Sequence, residues 1–294
     1  MDVIQKSSKK IKSFDGTEIY YECRGQGEPI VFVYGIACLM NHWHHQIKYF
    51  SRFNKVICFD LRGHHQSYPV ADKNNLNIAS TAKDIEAILD DLKIEKAHFA
   101  GHSFGAPVIF SAFDQFPERF KSITLINGFA RNPIKGMFGL DLAEPFFYWA
   151  KSQFENSPEL FTRIWKAAVY NPISMRAVAL VGGFNLKLTH FKDIEVYAKG
   201  VAELDLQVFL GLFEDMMKFN GEKVLENINV PTLIISGEND NVTPKSYQEE
   251  MANKIHESEY VEVPYGSHCT QLDFPDYINL KIRSFLKIGV DKNN

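Results

Sequence analysis

The sequence predicts an α/β protein, a mostly parallel sheet with helices on both faces and a helical insertion late in the chain. Short apolar runs of strand length alternate with longer amphipathic stretches, and Gly, Pro and small polar residues mark the junctions. Between residues 131 and 220 the strand-like runs stop and an aromatic-rich helical pattern replaces them. Parallel strands covered by crossover helices are buried on both faces, so they read as continuous apolar runs rather than alternating ones.

Element by element, Glu18 to Arg24 and Ile30 to Tyr34 read as two strands joined by the turn-rich GQGEP. Lys55 to Asp60 (KVICFD) is a short run rich in β-formers. Ala79 to Leu92 has helical spacing, with Ile85, Ile88, Leu89 and Leu92 on one face. Ala97 to Ala100 is a strand, Ser103 to Phe116 a helix ended by Pro117, and Ser122 to Ile126 a strand. The alternation resumes with strands at Val230 to Ser236 and Glu259 to Val263, and helices at Lys245 to Lys254 and Tyr277 to Leu286. In the insertion, Trp149, Trp165, Phe209 and Phe213 stand among many aromatics. Packing of helix on helix explains most of them; a subset lining an apolar pocket below a lid would explain the rest.

A chain of 294 residues suits one α/β domain carrying an insertion. With 45% hydrophobic and 23% charged residues, disorder is excluded. A net charge of -4 leaves no electrostatic footprint for nucleic acid. The start, MDVIQKSSKKIKSFDG, has no apolar stretch of leader length, and no later window has about 18 uninterrupted apolar residues, so neither secretion nor membrane insertion is expected. Cys23, Cys38, Cys58 and Cys269 are scattered without a C-x-x-C pair. That spacing predicts no disulfide framework and no metal site, and a reducing, cytoplasmic setting.

Gly101-His102-Ser103-Phe104-Gly105 is a G-x-S-x-G motif between a strand and a helix. In that setting the serine sits on a tight turn at the end of the strand, and the helix N-terminus aims its N–H groups at a developing oxyanion. A serine hydroxyl needs an adjacent base near neutral pH. His268, in GSH just after the strand EYVEVP, falls at the C-terminal edge of the sheet with Ser103. The other histidines fit less well: His42, His44 and His45 on a first helix, His64 and His65 in a loop, His102 diverging from Ser103, and His256 solvated. The base needs an orienting carboxylate. Asp240, beyond the strand VPTLIIS, is the first candidate and Glu238 its competitor; the strand SITLI ends in Asn127-Gly128, with no carboxylate. The order Ser103, Asp240, His268 is the one this chemistry takes on an α/β sheet.

Four blocks, VFVYGIACLMNHW, FDLRGHHQS, GHSFG, and GENDNVTP with GSH, resemble the capped, serine-nucleophile members of the α/β-hydrolase superfamily, from about Ser13 to Lys287. The resemblance implies a core of residues 1–130 and 221–294, a helical cap of residues 131–220 inserted after the sixth strand, and no cofactor. It also implies an oxyanion hole from the N–H groups of Phe104 and Ile36, although Tyr34 stands where the family usually has His, and His65 where relatives carry Gly. Tyr34, Cys38, Trp149, Trp165, Phe209 and Phe213 are then candidate substrate contacts. The expected activity is hydrolysis of a small, apolar acyl substrate through an acyl-enzyme. A small-molecule receptor of the same fold, a carbon–carbon hydrolase and a perhydrolase remain alternatives, since one scaffold carries many chemistries.

Overall fold

The computed structural model describes residues 6–134, 143–169, 179–180 and 183–288. Within the expected cap, residues 135–142, 170–178 and 181–182 lie outside the described residues, as do residues 1–5 and 289–294 of the expected core. Eight strands form one sheet: β1 (Lys6–Lys12), β2 (Glu18–Arg24), β3 (Pro29–Val33), β4 (Lys55–Phe59), β5 (Ala97–His102), β6 (Phe120–Ile126), β7 (Thr232–Gly237) and β8 (Ser258–Val263). Their spatial order is β1-β2-β4-β3-β5-β6-β7-β8. β1 and β2 run antiparallel; from β4 to β8 every pairing is parallel.

β3 to β7 are buried almost throughout, which is why they read as unbroken apolar runs. β1 had no such signature: KSSKKIK is exposed at every position except the half-buried Ile11, and its place comes from pairing Lys6 with Arg24 through Lys12 with Glu18. GQGEP joins β2 to β3 in sequence, but they are not neighbours, because β4 lies between them.

Helices cover the sheet: α1 (His44–Phe50), α2 (Ile78–Asp91) and α3 (Gly105–Gln115) in the first half. α2 starts at an Asn77 cap whose side chain accepts from Ser80 N–H. Between β6 and β7 come α4 (Ala143–Asn156), α5 (Pro158–Val169), α6 (Phe191–Glu203), α7 (Leu206–Lys218) and α8 (Glu222–Leu225); α9 (Lys245–Lys254), α10 (Thr270–Asp273) and α11 (Pro275–Phe285) complete the chain. The segment leaves and rejoins the core at one neck, where Arg131 bridges Asn220 and Gly221 N–H donates to Ala130 O at 2.7 Å. Among the described residues, no helix is long and apolar enough to cross a membrane.

Arg62, fully buried, fixes the loop after β4. Its guanidinium makes a two-bond fork to Asp84 on α2, at 2.9 and 2.6 Å, and reaches Asp15 at 3.0 Å. The next residues, His64 and His65, are therefore held where they touch the loop after β3.

Candidate active site

Ser103 follows β5 in the left-handed region, with φ 51°. Its N–H donates to Ile126 O on β6, and its carbonyl accepts from Ala106 N–H, so both sides of the turn are pinned. The flanking glycines are steric requirements. A Cβ at Gly101 would lie 2.6 Å from Ile109 Cδ1 and 2.9 Å from the Gly105 carbonyl carbon, and one at Gly105 would lie 2.3 Å from Val33 O. The motif thus lets α3 press its first turn against β5 and β3.

His268 and Asp240 meet beyond β8 and β7. Nδ1 of His268 lies 2.9 Å from Asp240 Oδ2, and because a carboxylate only accepts, Nδ1 carries the hydrogen. Asp240 also accepts from the N–H groups of Val242 and Thr243, at 2.8 and 2.9 Å, and from the Thr243 hydroxyl at 2.6 Å. Four donors therefore fix one carboxylate. Among the described residues, His268 Nε2 has no hydrogen bond and Ser103 Oγ makes none to His268. Such contacts commonly tighten only with substrate in place.

Two backbone N–H groups are also unspent. Neither Ile36 nor Phe104 donates within the described chain. The loop that carries Ile36 is braced from the Arg62 side: Ala37 N–H, at φ 60°, donates to His64 Nε2 at 3.2 Å, and His65 Nε2 donates to Cys38 O at 2.9 Å. His65 is therefore a loop brace rather than a solvated side chain.

A match to the family model for the alpha/beta hydrolase fold covers residues 28–275. The chain belongs to the α/β-hydrolase family. As such it is similar to RutD of Azorhizobium caulinodans, provisionally named a carbamate hydrolase, with 27% identity over 91% of this chain and 94% of that one. It is also similar to 3-oxoadipate enol-lactonase 2 of Acinetobacter baylyi, at 24% identity over 91% and 92% of the two chains. Among solved structures, Est816, described as an N-acyl homoserine lactone degrading enzyme, shares the fold with a TM-score of 0.72, 24% identity and coverage of 94% and 100%.

In this α/β hydrolase the six candidate substrate contacts are dispersed. The Tyr34 hydroxyl, fully buried, accepts from Leu61 N–H at 2.9 Å and faces Asp60 at 3.4 Å, so it is occupied inside the sheet. Phe209 lies tilted beside Trp165 and Phe213, and Phe213 lies flat on Phe147 with centroids 5.0 Å apart, so this group packs α4, α5 and α7 together. Trp149 is 56% exposed beside Phe146. Cys38 is the one at the loop of Ile36, and its Sγ lies 3.6 Å from where a Gly35 Cβ would stand, against 3.2 Å for Ser103 Cβ.

Three residues that sequence reasoning passed over hold His268 in place. Asn127, dismissed as a non-carboxylate at the end of β6, donates through Nδ2 to Ser267 O, His268 O and Thr270 Oγ1 at 2.9, 2.6 and 2.9 Å, and accepts from Gly237 N–H at 2.7 Å. It ties β6, β7 and the His268 loop together. Gly183, from the segment between β6 and β7, accepts from His268 N–H at 3.1 Å at φ 75°, where a Cβ would lie 2.4 Å from His268 Cβ. His102 Nε2 donates to His268 O at 2.8 Å.

The buried imidazoles give the protein an acid sensitivity. Burial foremost, with neighbouring imidazoles second, holds His42 and His64 down to about 3 and His102 well below 6.5. A group depressed on folding binds protons first in the unfolded chain, so its stabilisation is complete above pH 6.5 and is lost as pH falls toward 3. Asp84, held up to about 6 by burial despite Arg62, acts in the opposite sense only below about pH 6. Between pH 8 and pH 6 the three histidines should together lower unfolding stability by about 2 kcal/mol. Urea melts at the two pH values measure this; an unchanged midpoint would show that the rings are not held neutral.

Proposed function

We propose that the chain is a serine-dependent hydrolase of a carboxylic ester or related acyl bond, working through an acyl-enzyme. The observation that carries this reading is the His268–Asp240 pair, bonded at 2.9 Å on the sheet edge where Ser103 stands on its strained turn. Ser103 Oγ attacks the acyl carbon as His268 Nε2 takes its proton. Asp240 keeps the proton of the imidazole on Nδ1 and stabilises the imidazolium. The N–H groups of Ile36 and Phe104 meet the oxyanion. His268 then protonates the leaving group. Water, deprotonated by His268, cleaves the acyl-enzyme, and the proton returns to Ser103.

The similarity to a carbamate hydrolase and an enol-lactonase supports hydrolysis of an acyl C–O or C–N bond in a small molecule. Residues 131–220 are the lid in this reading, supported by the single neck at Arg131 and Asn220. A cleft of about 760 Å³ between Tyr68, His65, Phe154 and Leu204 opens against the brace of the Ile36 loop and is the proposed route inward.

A fluorophosphonate probe followed by peptide mass mapping, run beside a panel of aryl esters of increasing acyl length, tests the reading. Covalent labelling confined to Ser103 together with many turnovers per chain is expected. Labelling elsewhere overturns the nucleophile assignment, and labelling with one turnover per chain points instead to a ligand receptor.

A further inference from the structure

The scattered cysteines predicted no metal site, yet among the described residues folding gathers two sets of metal-ligating groups outside the proposed triad, and the one that holds a cysteine is buried. One ring nitrogen of His42, one of His102 and the Cys269 sulfur lie within 4.8 Å of one another, all buried. The three residues come from the turn before α1, the end of β5 and the loop before α10, so no spacing rule reveals them. His42 and His102 face each other with centroids 4.7 Å apart. Each keeps one buried ring nitrogen with no partner: Nε2 of His42 and Nδ1 of His102. In His102 the tautomer is fixed, since Nε2 must carry the hydrogen it gives to His268 O, leaving a lone pair on Nδ1. A histidine whose other nitrogen donates to a backbone carbonyl is arranged as metal-bound histidines are.

Two neutral imidazoles and a thiol suit a borderline-to-soft cation and not magnesium or calcium. We propose that His42, His102 and Cys269 bind one Zn²⁺ ion, which acts as a reversible inhibitor of the site next to it. Ligands around tetrahedral zinc stand about 3.3–3.8 Å apart, so the three atoms need to close by about 1 Å. A space of about 10 Å³ beside His42, lined also by Leu39, Asn41, Asp193, Tyr197 and Leu272, has room for one small fourth ligand such as water. Burial keeps both rings neutral and ready to ligate, and raises the Cys269 thiol, so the ion must displace the thiol proton. The balance is Zn²⁺ plus thiol giving zinc thiolate plus one proton released to buffer, leaving a net charge of +1 at the site. That charge sits beside His268, whose ring centroid is 4.9 Å from that of His102, and it opposes formation of the imidazolium.

The test uses the intact chain freed of metal by a chelator. Titration with Co²⁺ is expected to give a thiolate-to-cobalt charge-transfer band that saturates at one ion per chain, with one proton released. Zn²⁺ is expected to lower aryl-ester turnover at least about tenfold, reversed by chelator. Cys269→Ser and His42→Gln should keep basal turnover and lose the zinc response; Cys269→Ser should also lose the band. No charge-transfer band in the unmodified protein overturns the proposal, and that readout stands even if a variant does not fold or if the chain hydrolyses no ester. Undiminished zinc inhibition in a folded Cys269→Ser chain also overturns it, since the ion would then sit on His268 itself.

Discussion

Replacing Ser103 by alanine should lower kcat/KM for an aryl ester by at least about 10³-fold and leave KM nearly unchanged, because the nucleophile acts in the chemical step and not in ground-state binding. The change is small enough to leave the fold intact: the residue is almost buried, its backbone φ of 51° costs alanine and serine alike, and the turn is held by backbone bonds to Ile126 and Ala106. A thermal melt within a few degrees of the parent would confirm that the loss is chemical. Activity above about a tenth of the parent would sink the assignment, because the groups left behind, Ile36 and Phe104 N–H with His268, cannot replace a covalent intermediate.

Gly105→Ala should destabilise the fold strongly. The new Cβ would stand 2.3 Å from Val33 O and 3.0 Å from Val33 C, both backbone atoms of β3, so no side chain can turn aside to admit it. α3 would have to retreat from the sheet, loosening the close-packed layer at Phe104, Val108 and Ile109, all fully buried. A loss of at least about 4 kcal/mol is expected, which for a chain of this size means a Tm lower by about 10 °C or failure to accumulate. Gly16→Ala is the control: its φ is +85° but nothing lies within 4 Å of the added Cβ, so only backbone strain of about 1 kcal/mol remains. Equal melts for the two variants would refute the steric account.

The same contrast explains what was legible in the sequence. Gly101, Ser103 and Gly105 were readable because a strand, a turn and a helix start fall within five residues, and the constraint is local. Asp240 and His268 were readable because each follows an apolar strand, which placed both on one edge. Asn127 was not, since its partners lie up to 143 positions away and its role is to bracket loops, for which an amide is better than the carboxylate sought there. Gly183 and His64 were hidden for the same reason. β1 was missed because its lysines carry no apolar signal and pairing with β2 alone makes it a strand. Among the described residues, Trp149, Trp165, Phe209 and Phe213 fall on helices, but their aromatic character did not tell which faces turn inward, because packing between helices and lining of a pocket call for the same side chains.

The hydrogen bond from His268 N–H to Gly183 O joins the inserted segment to the proposed base directly. In the proposed reading, two events usually treated apart, admission of a molecule and readiness to take a proton, therefore share one free energy. Whatever displaces Gly183 on the way in must loosen His268, and whatever settles His268 must, by reciprocity, hold the segment down.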